Sequence, residues 1–139
     1  MSQSSQHAFR LNPGADLRQS LEAYLVRHDI QAAVLLTCVG SLSQAALRLA
    51  SAQAETFLNG PLEIVSATGT LSVNGCHIHF SVADEKGVVT GGHMLPGNLV
   101  LTTAEIVMVE LQDTSFTRKM DSATGYNELV VAKERGGER

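Results

Sequence analysis

The chain has 139 residues, of which 44% are hydrophobic and 17% charged, and its formal net charge is −4. The hydrophobic fraction excludes a disordered chain, and the length corresponds to one ordinary domain that can bury a core without disulfides. A sequence pI of about 5.7 argues against a protein that mainly coats nucleic acid, because neutralising phosphates requires a surplus of Lys and Arg. Aromatic residues on which bases could stack are also few, at 4%.

The two ends of the chain and its cysteines indicate where the protein works. The opening segment MSQSSQHAFR lacks the apolar core of a signal peptide, and no apolar run is long enough to span a membrane, so we expect a cytoplasmic protein without a membrane partner. In that compartment Cys38 and Cys76 are expected to be reduced. Residues 1–7 and 133–139 are predicted to be flexible tails on either side of one domain at residues 8–132.

An amphipathic helix is predicted after the turn-forming segment 12–15. Asp16 is a favourable N-cap, and Gln19 stands three residues later, where a capping box places a Glu or Gln. Side chains that can share one helix face then recur with helical spacing: Leu17, Leu21, Tyr24, Leu25 and His28. The helix is predicted to end at His28 and Asp29.

Most of the remaining chain has strand-like patterns. The predicted strands cover residues 32–39, 45–50, 62–73, 76–82, 88–90, 99–111, 116–120 and 128–132. Turns are predicted at 40–42, at Asn74-Gly75 and at 84–87, and Gly69 predicts a bend or bulge. One helix followed by runs of strands predicts an α+β fold with a largely antiparallel sheet.

Three histidines fall where two strands can bring them together. Because successive side chains of a strand point to opposite faces, His77 and His79 share one face of the strand at 76–82. A hairpin at 84–87 returns the chain so that His93, which follows two glycines, can converge on them. Three imidazoles with an open fourth position describe a catalytic zinc site. The alternative is that they are ordinary surface or core histidines, because His-x-His is common by chance.

One carboxylate is a candidate for a chemical role. Glu105 interrupts the mostly apolar segment 99–111, so it is predicted to lie at a solvent gap or to be buried with a partner. It is a candidate general acid or base, or a hydrogen-bonding group behind a metal ligand. The alternative is a structural ion pair with Arg10, Arg48 or Arg118.

Seven short motifs resemble, in their order, those of one known family. They are Arg10-Leu11-x-Pro-Gly, Val39-Gly40-Ser41-Leu42, Glu63-Ile64-Val65-x-x-Thr68-Gly69-Thr70, His77-Ile78-His79, Gly91-Gly92-His93, Thr103-Ala104-Glu105 and Thr124-Gly125-Tyr126-x-Glu128-Leu129. This set is similar to that of the PPC (plants and prokaryotes conserved) family, also known as DUF296, in its stand-alone prokaryotic form. The resemblance covers about residues 7–132.

Membership would imply an α+β fold with a mixed, mainly antiparallel sheet, related to the fold of acetolactate decarboxylase, and assembly as a homotrimer. The resemblance also implies that His77, His79 and His93 bind zinc or another divalent transition metal. Such a site suggests Lewis-acid chemistry on a small carbonyl or carboxylate compound, with Glu105 as the acid or base.

Two other functions remain open on the sequence. The family often carries a DNA-binding label, which in plant members belongs largely to a basic AT-hook of the Arg-Gly-Arg-Pro type. These 139 residues contain no such segment. The alternatives to a metalloprotein are therefore a non-catalytic trimeric interaction scaffold and a DNA-binding or transcription-associated protein that lacks an AT-hook.

Overall fold

The computed structural model describes residues 4–134. This range forms one helix, α1 (Leu17–Arg27), and eight strands: β1 (Ser4–Leu11), β2 (Ala33–Arg48), β3 (Thr56–Ser72), β4 (Gly75–Ala83), β5 (Val89–Met94), β6 (Leu99–Leu111), β7 (Thr114–Asp121) and β8 (Tyr126–Lys133). All the pairings between these strands are antiparallel. The predicted α+β class with a mainly antiparallel sheet is confirmed, and the described strands contain no parallel pair that would make the sheet mixed.

The main sheet closes on itself at one end. Its six strands lie in the order β1-β6-β2-β3-β4-β5, while β7 and β8 form a separate hairpin. β5 pairs with β4 and also with the end of β2, where Leu47 faces Met94 and Arg48 faces His93. β2, β3, β4 and β5 therefore form a closed ring of hydrogen-bonded strands, which removes the free edge that β5 would otherwise present.

Helix α1 covers one end of the core through a row of leucines. Leu17, Leu21 and Leu25 are each 0% exposed, and burying a leucine side chain stabilises the fold by roughly 1.5–3 kcal/mol. Asp16 caps the helix, because its Oδ1 accepts a hydrogen bond of 3.1 Å from the backbone N–H of Gln19. The predicted helix and its N-cap are confirmed.

The turn predicted at residues 40–42 is wrong. β2 runs without interruption for 16 residues, and its pairing with β6 changes register beside Gly40. A Cβ atom at position 40 would overlap the backbone carbonyl of Thr103 on β6. The glycine therefore marks a close contact inside one long strand rather than the end of a strand.

The bulge predicted at Gly69 is also misplaced. The register of the β3–β4 pairing shifts between Ile64 and Ser66, whereas Gly69 pairs regularly with Ile78. A Cβ atom at position 69 would lie 2.8 Å from the backbone oxygen of His77, so this glycine allows β4 to lie close to β3. The turn predicted at 84–87 is found between β4 and β5, and the turn predicted at 74–75 lies one residue earlier, at Val73 and Asn74, because Gly75 already pairs with Ser72.

The N-terminal tail predicted at residues 1–7 must be shortened. β1 begins at Ser4, which pairs with Leu111. Nε2 of His7 donates a hydrogen bond of 2.8 Å to Glu110 Oε2, and its Nδ1 shares one of 2.9 Å with the Tyr24 hydroxyl. The sequence missed these contacts because polar Ser and Gln residues on an outer strand look like a tail. At the other end β8 includes Lys133, and the rest of the predicted tail, 135–139, lies outside the described residues.

The core lies between α1 and the inner face of the main sheet. Its largest fully buried side chains come from the helix, from the connection between α1 and β2, and from β2 to β6: Leu17, Leu21, Leu25, Ile30, Leu42, Leu47, Leu71, Ile78, Met94, Ile106, Met108 and Val82. Within residues 4–134 no helix has the length and apolar character needed to cross a membrane.

Candidate metal centre

Three histidines meet where β4 and β5 pair. His77 and His79 stand two residues apart on β4, and His79 is the register partner of His93 on β5. One ring nitrogen of each lies within 4.8 Å of the others, with His77 and His79 exposed and His93 half-buried. The hairpin therefore brings the three histidines together, as their spacing predicts.

Two glycines before His93 allow this approach. A Cβ atom at Gly92 would lie 2.5 Å from the backbone oxygen of Arg48, and one at Gly91 would lie 3.0 Å from the backbone oxygen of Phe80. Both neighbours are backbone atoms, which cannot rotate away as a side chain can. The missing side chain at Gly92 therefore allows β5 to reach β2, and the one at Gly91 eases the contact of β5 with β4.

The distance between two of the imidazoles is close to that expected in a tetrahedral metal site. Nε2 of His77 lies 3.1 Å from Nε2 of His79. Zinc–nitrogen bonds of about 2.0–2.1 Å in a tetrahedron separate the ligand nitrogens by about 3.3 Å. A metal ion bound to both of these nitrogens would therefore require little movement of these two rings.

A buried nitrogen of His93 has no hydrogen-bond partner among the described residues. Its Nδ1 is enclosed by protein, and nothing in residues 4–134 donates to it or accepts from it. Leaving such an atom unsatisfied costs roughly 1–3 kcal/mol. A metal ion bound to Nδ1 would remove that cost, and the residues present therefore fit a bound metal.

The local electrostatics favour the neutral form of two imidazoles, those of His77 and His93. Burial, followed by the neighbouring charges of His77, Arg18 and Arg48, lowers the pKa of His93 to about 4. The pKa of His77 is also lowered, first by burial and then by the charge of His79. Neutral imidazole is the form that binds metals, so at neutral pH protons compete weakly for these two ligands.

A cavity of about 560 Å³ opens beside the cluster. We call it the basic cavity, and its charged and imidazole side chains are Arg18, Glu22, Arg48, His77, His93, Arg118 and Glu128. A smaller cavity of about 190 Å³ lies against all three histidines on another side and is lined by residues 48–53 and Tyr126. Tyr126 also lines the basic cavity, so a small molecule in either cavity would lie next to the candidate metal ligands.

The sequence did not indicate that arginines surround the histidines. Arg48 and Arg118 were considered only as partners for Glu105, and Arg18 and Glu128 were not assigned any role at the cluster. The arginines come from three elements, α1, β2 and β7, whose packing no local pattern encodes. The spacing of Arg18 and Glu22 was a signal that could have been used, because residues four apart on a helix can form an ion pair.

Glu105 does not reach the histidines within one chain. It is exposed on β6, where its register partners are Arg10 and Val39, and it lines none of the cavities that contain the histidines. Among residues 4–134 it forms no ion pair, and the Arg10 guanidinium donates instead to Thr103 Oγ1 at 2.8 Å and to Asn12 Oδ1 at 2.9 Å. The predicted structural ion pair is therefore not formed, and an acid or base role for Glu105 stays a prediction.

Both cysteines are free and buried. Burial raises the pKa of the Cys38 thiol to about 12 and that of the Cys76 thiol to about 11. Both are therefore protonated at neutral pH, and a protonated buried thiol is unreactive. The expected reduced state of the cysteines agrees with this environment, and neither thiolate is available as a metal ligand.

The fold and the cluster define a small α+β protein with a candidate three-histidine metal centre. The family model of the Plants and Prokaryotes Conserved (PCC) domain matches residues 1–112, and the chain belongs to this family. PCC and PPC are two abbreviations of the same family name, so the resemblance seen in the sequence is confirmed.

Similar proteins with known structures agree over nearly the whole chain. A hypothetical protein from Salmonella enterica is 40% identical with a TM-score of 0.92, and the match covers 96% of both chains. A protein from Archaeoglobus fulgidus that is described as metal-containing is 26% identical with a TM-score of 0.79, covering 91% of this chain and 93% of the other.

A longer protein contains a segment similar to this chain. Over 127 residues the chain is 46% identical to the bifunctional protein GlmU of Synechococcus sp. strain JA-3-3Ab, a match that covers 91% of this chain and 20% of that protein. The chain therefore spans about a fifth of the length of the curated relatives that it matches.

More distant structures show the fold alone. A protein of unknown function from Staphylococcus aureus, described as similar to alpha-acetolactate decarboxylase, is 17% identical with a TM-score of 0.51 and covers 76% of this chain and 51% of the other. A candidate DNA-binding protein from Bacteroides thetaiotaomicron is 19% identical with a TM-score of 0.80, and the match covers 94% of this chain and 97% of the other. The expected relationship to the acetolactate decarboxylase fold is supported at this low level of similarity.

Proposed function

We propose that this protein binds one zinc ion, or another divalent transition metal, through His77, His79 and His93. The observation that carries the proposal is the convergence of three ring nitrogens within 4.8 Å at the edge of a cavity. The lowered pKa of His93 and its unpartnered Nδ1 support it, because both favour a neutral imidazole that is available to a ligand. The description of the Archaeoglobus fulgidus relative as metal-containing supports it independently.

The donor set suits zinc and several other divalent metals. Three imidazoles suit zinc, nickel, cobalt and iron, and the choice in the cell depends on geometry and supply. A zinc ion held by three histidines retains an open position, where it can polarise a carbonyl or carboxylate oxygen as a Lewis acid. In this chain the two cavities beside the cluster would hold the small carbonyl or carboxylate compound, and Tyr126 lines both of them.

The proposal includes assembly as a homotrimer. β2 exposes three large apolar side chains in the single chain: Val34 at 37%, Leu36 at 63% and Val39 at 55%. Contact with a second subunit would remove them from water. Light scattering on a size-exclusion column should give a mass of three times 14.8 kDa, whereas a mass of one or two chains would contradict this part of the proposal.

DNA binding is the less favoured alternative. The formal net charge of −4 opposes contact with a phosphate backbone, and affinity for nucleic acid depends steeply on basic surface. We expect no gel shift of duplex DNA at physiological salt. A shift that weakens as salt is raised would support the alternative instead.

Zinc titration of matched variants tests the metal proposal. Calorimetry on metal-free, untagged protein should give about one zinc per chain, and each of His77→Ala, His79→Ala and His93→Ala should weaken binding by at least tenfold. His28→Ala is the matched control, because it also removes an imidazole but lies at the end of α1 away from the cluster. Equal zinc affinity in the wild type and the three variants would overturn the proposal and leave the interaction scaffold as the better function.

A further inference from the structure

We propose that the basic cavity binds the oxyanion group, carboxylate or phosphate, of a small-molecule ligand, and that Arg48 and Arg118 are the residues that bind it. The inference rests on the proposed function, because it names the class of ligand that would lie beside the metal. Its evidence, however, comes from the arginines rather than from the histidines.

The charges that line the cavity do not cancel. Three guanidinium groups, of Arg18, Arg48 and Arg118, face two carboxylates, of Glu22 and Glu128. With neutral imidazoles the lining has a surplus of one positive charge. A bound divalent cation would raise that surplus to three. An anionic ligand is therefore the electrostatic complement of the cavity both with and without metal.

Arg18 is already occupied by the protein. Its Nε donates to Glu22 Oε1 at 2.9 Å, its Nη1 to the backbone oxygen of Met94, and its Nη2 to the backbone oxygen of Cys76 at 3.0 Å. All three nitrogens of the guanidinium have partners, and these partners join α1 to β4 and β5. Arg18 is therefore a positioning residue that supports the wall of the cavity.

Arg48 and Arg118 keep their donors available. A guanidinium has five N–H donors. Among the described residues Arg118 uses one nitrogen, Nη2, which donates to Thr70 Oγ1 at 3.0 Å, and the side chain of Arg48 donates to none. The ion pairs in residues 4–134 are His7–Glu110 and Arg18–Glu22, so neither arginine is neutralised by a carboxylate. Both are half-buried, which makes their hydrogen bonds to an oxyanion stronger than those of an exposed arginine.

The two arginines flank the histidine cluster. Arg48 is the register partner of His93, and Arg118 donates to Thr70, which is the register partner of His77. An oxyanion held by these guanidiniums would place the rest of the ligand next to the imidazoles. A volume of about 560 Å³ suits a small molecule, since ligand pockets range over roughly 300–1,000 Å³. The expected ligand therefore has an oxyanion at one end and a second oxygen, from a carbonyl, hydroxyl or carboxylate, directed towards the cluster.

Calorimetry with simple anions tests this assignment. Zinc-loaded and metal-free protein would each be titrated with acetate, pyruvate, malonate, inorganic phosphate and glycerol 3-phosphate, so that the carboxylate and phosphate arms are separated. We expect at least one of the two classes of anion, carboxylates or phosphates, to bind the wild type. Its affinity should be at least tenfold lower in Arg48→Gln and in Arg118→Gln. Arg27→Gln is the matched control, because it removes the same charge from an exposed position at the end of α1 and should change affinity less than twofold.

Zinc stoichiometry measured on the same samples separates the two proposals. Arginine-dependent anion binding in a protein that takes up no zinc would support this inference while the metal proposal fails. Zinc binding without arginine-dependent anion binding would overturn this inference and leave the metal proposal intact. The inference is also overturned if none of the anions binds the wild type. Arg48→Gln remains decisive if Arg118→Gln unfolds, because the Arg48 side chain donates no hydrogen bond to the described residues whose loss would disturb the fold.

Discussion

His93 on β5 is the register partner of Arg48 on β2, at the position where the ring of strands closes. The preceding residue, Gly92, also lies close to the β2 backbone, since a Cβ atom there would lie 2.5 Å from the Arg48 carbonyl oxygen. The histidine cluster and the basic cavity therefore depend on the same closure. A change that separates β5 from β2 should damage both.

Gly92→Ala should weaken zinc binding as well as the fold. The added methyl group meets a backbone atom, so β5 must move, and we expect the free energy of unfolding to fall by about 1–3 kcal/mol. Because His93 moves with the strand, zinc affinity should fall at least tenfold. Urea unfolding and zinc titration measure the two effects.

Gly87→Ala is the control for the backbone effect. Nothing lies within 4 Å of a Cβ atom at position 87, but the residue has a φ of +78°, where a side chain costs about 1–2 kcal/mol. This variant should lose stability and retain wild-type zinc affinity. An unchanged zinc affinity in Gly92→Ala would contradict the conclusion that the histidine cluster depends on the pairing of β5 with β2.

The stability of the metal-free protein should fall as the solution becomes more acidic. The pKa of His93 is about 4 in the folded chain and 6.5 when it is unperturbed, so between these values the unfolded chain binds a proton that the folded chain does not. The contribution of His93 to the free energy of unfolding is therefore fully present above about pH 6.5 and is lost as the pH falls towards about 4.

Thermal unfolding at about pH 7.5 and about pH 5 checks this dependence. The midpoint should fall less in His93→Gln than in the wild type, because the variant no longer has the depressed imidazole. His28→Gln, which leaves His93 in place, should show the full decrease. An equal decrease in the wild type and His93→Gln would mean that other groups cause it.

Arg18→Gln should destabilise the protein through lost hydrogen bonds. The substitution removes the donors to the backbone oxygens of Met94 and Cys76 and the ion pair with Glu22, which is 2.9 Å long. The loss of these donors to two half-buried acceptors should cost about 1–3 kcal/mol each in the free energy of unfolding. Chemical denaturation of Arg18→Gln tests this expectation. Arg27→Gln is the control, and it should change the free energy of unfolding by less than about 0.5 kcal/mol.

Glu105→Gln should leave the zinc affinity within twofold of the wild type. The carboxylate is exposed, and it lines no cavity that contains the histidines. Glu128→Gln is the informative comparison, because Glu128 lines the basic cavity beside His77. A large loss of zinc affinity in Glu105→Gln would show that another subunit brings Glu105 to the cluster.

The sequence predicted the parts of this protein that are encoded by local patterns. The helix from Asp16, the hairpin turns, and the meeting of His77 and His79 with His93 all follow from spacing, and all are present. Gly40 misled the prediction because a glycine that accommodates a neighbouring strand has the same sequence signature as a glycine in a turn.

The parts that were missed depend on contacts between distant segments. The guanidiniums of Arg48 and Arg118 reach the cavity because β5 closes onto β2 and because the β7–β8 hairpin packs beside β3 and β4. Residues 4–7 form a strand only because β6 provides a partner for them. Neither kind of long-range contact leaves a periodic signal in the chain.

The most direct test of the metal proposal is elemental analysis of the untagged protein as it is isolated, with the chain concentration measured in the same sample. The account predicts about one zinc or similar divalent ion per chain, and almost none in the double variant His77→Ala/His79→Ala purified in parallel. A wild-type protein that contains no metal, even after incubation with zinc and desalting, would contradict it. So would a double variant with the same metal content as the wild type.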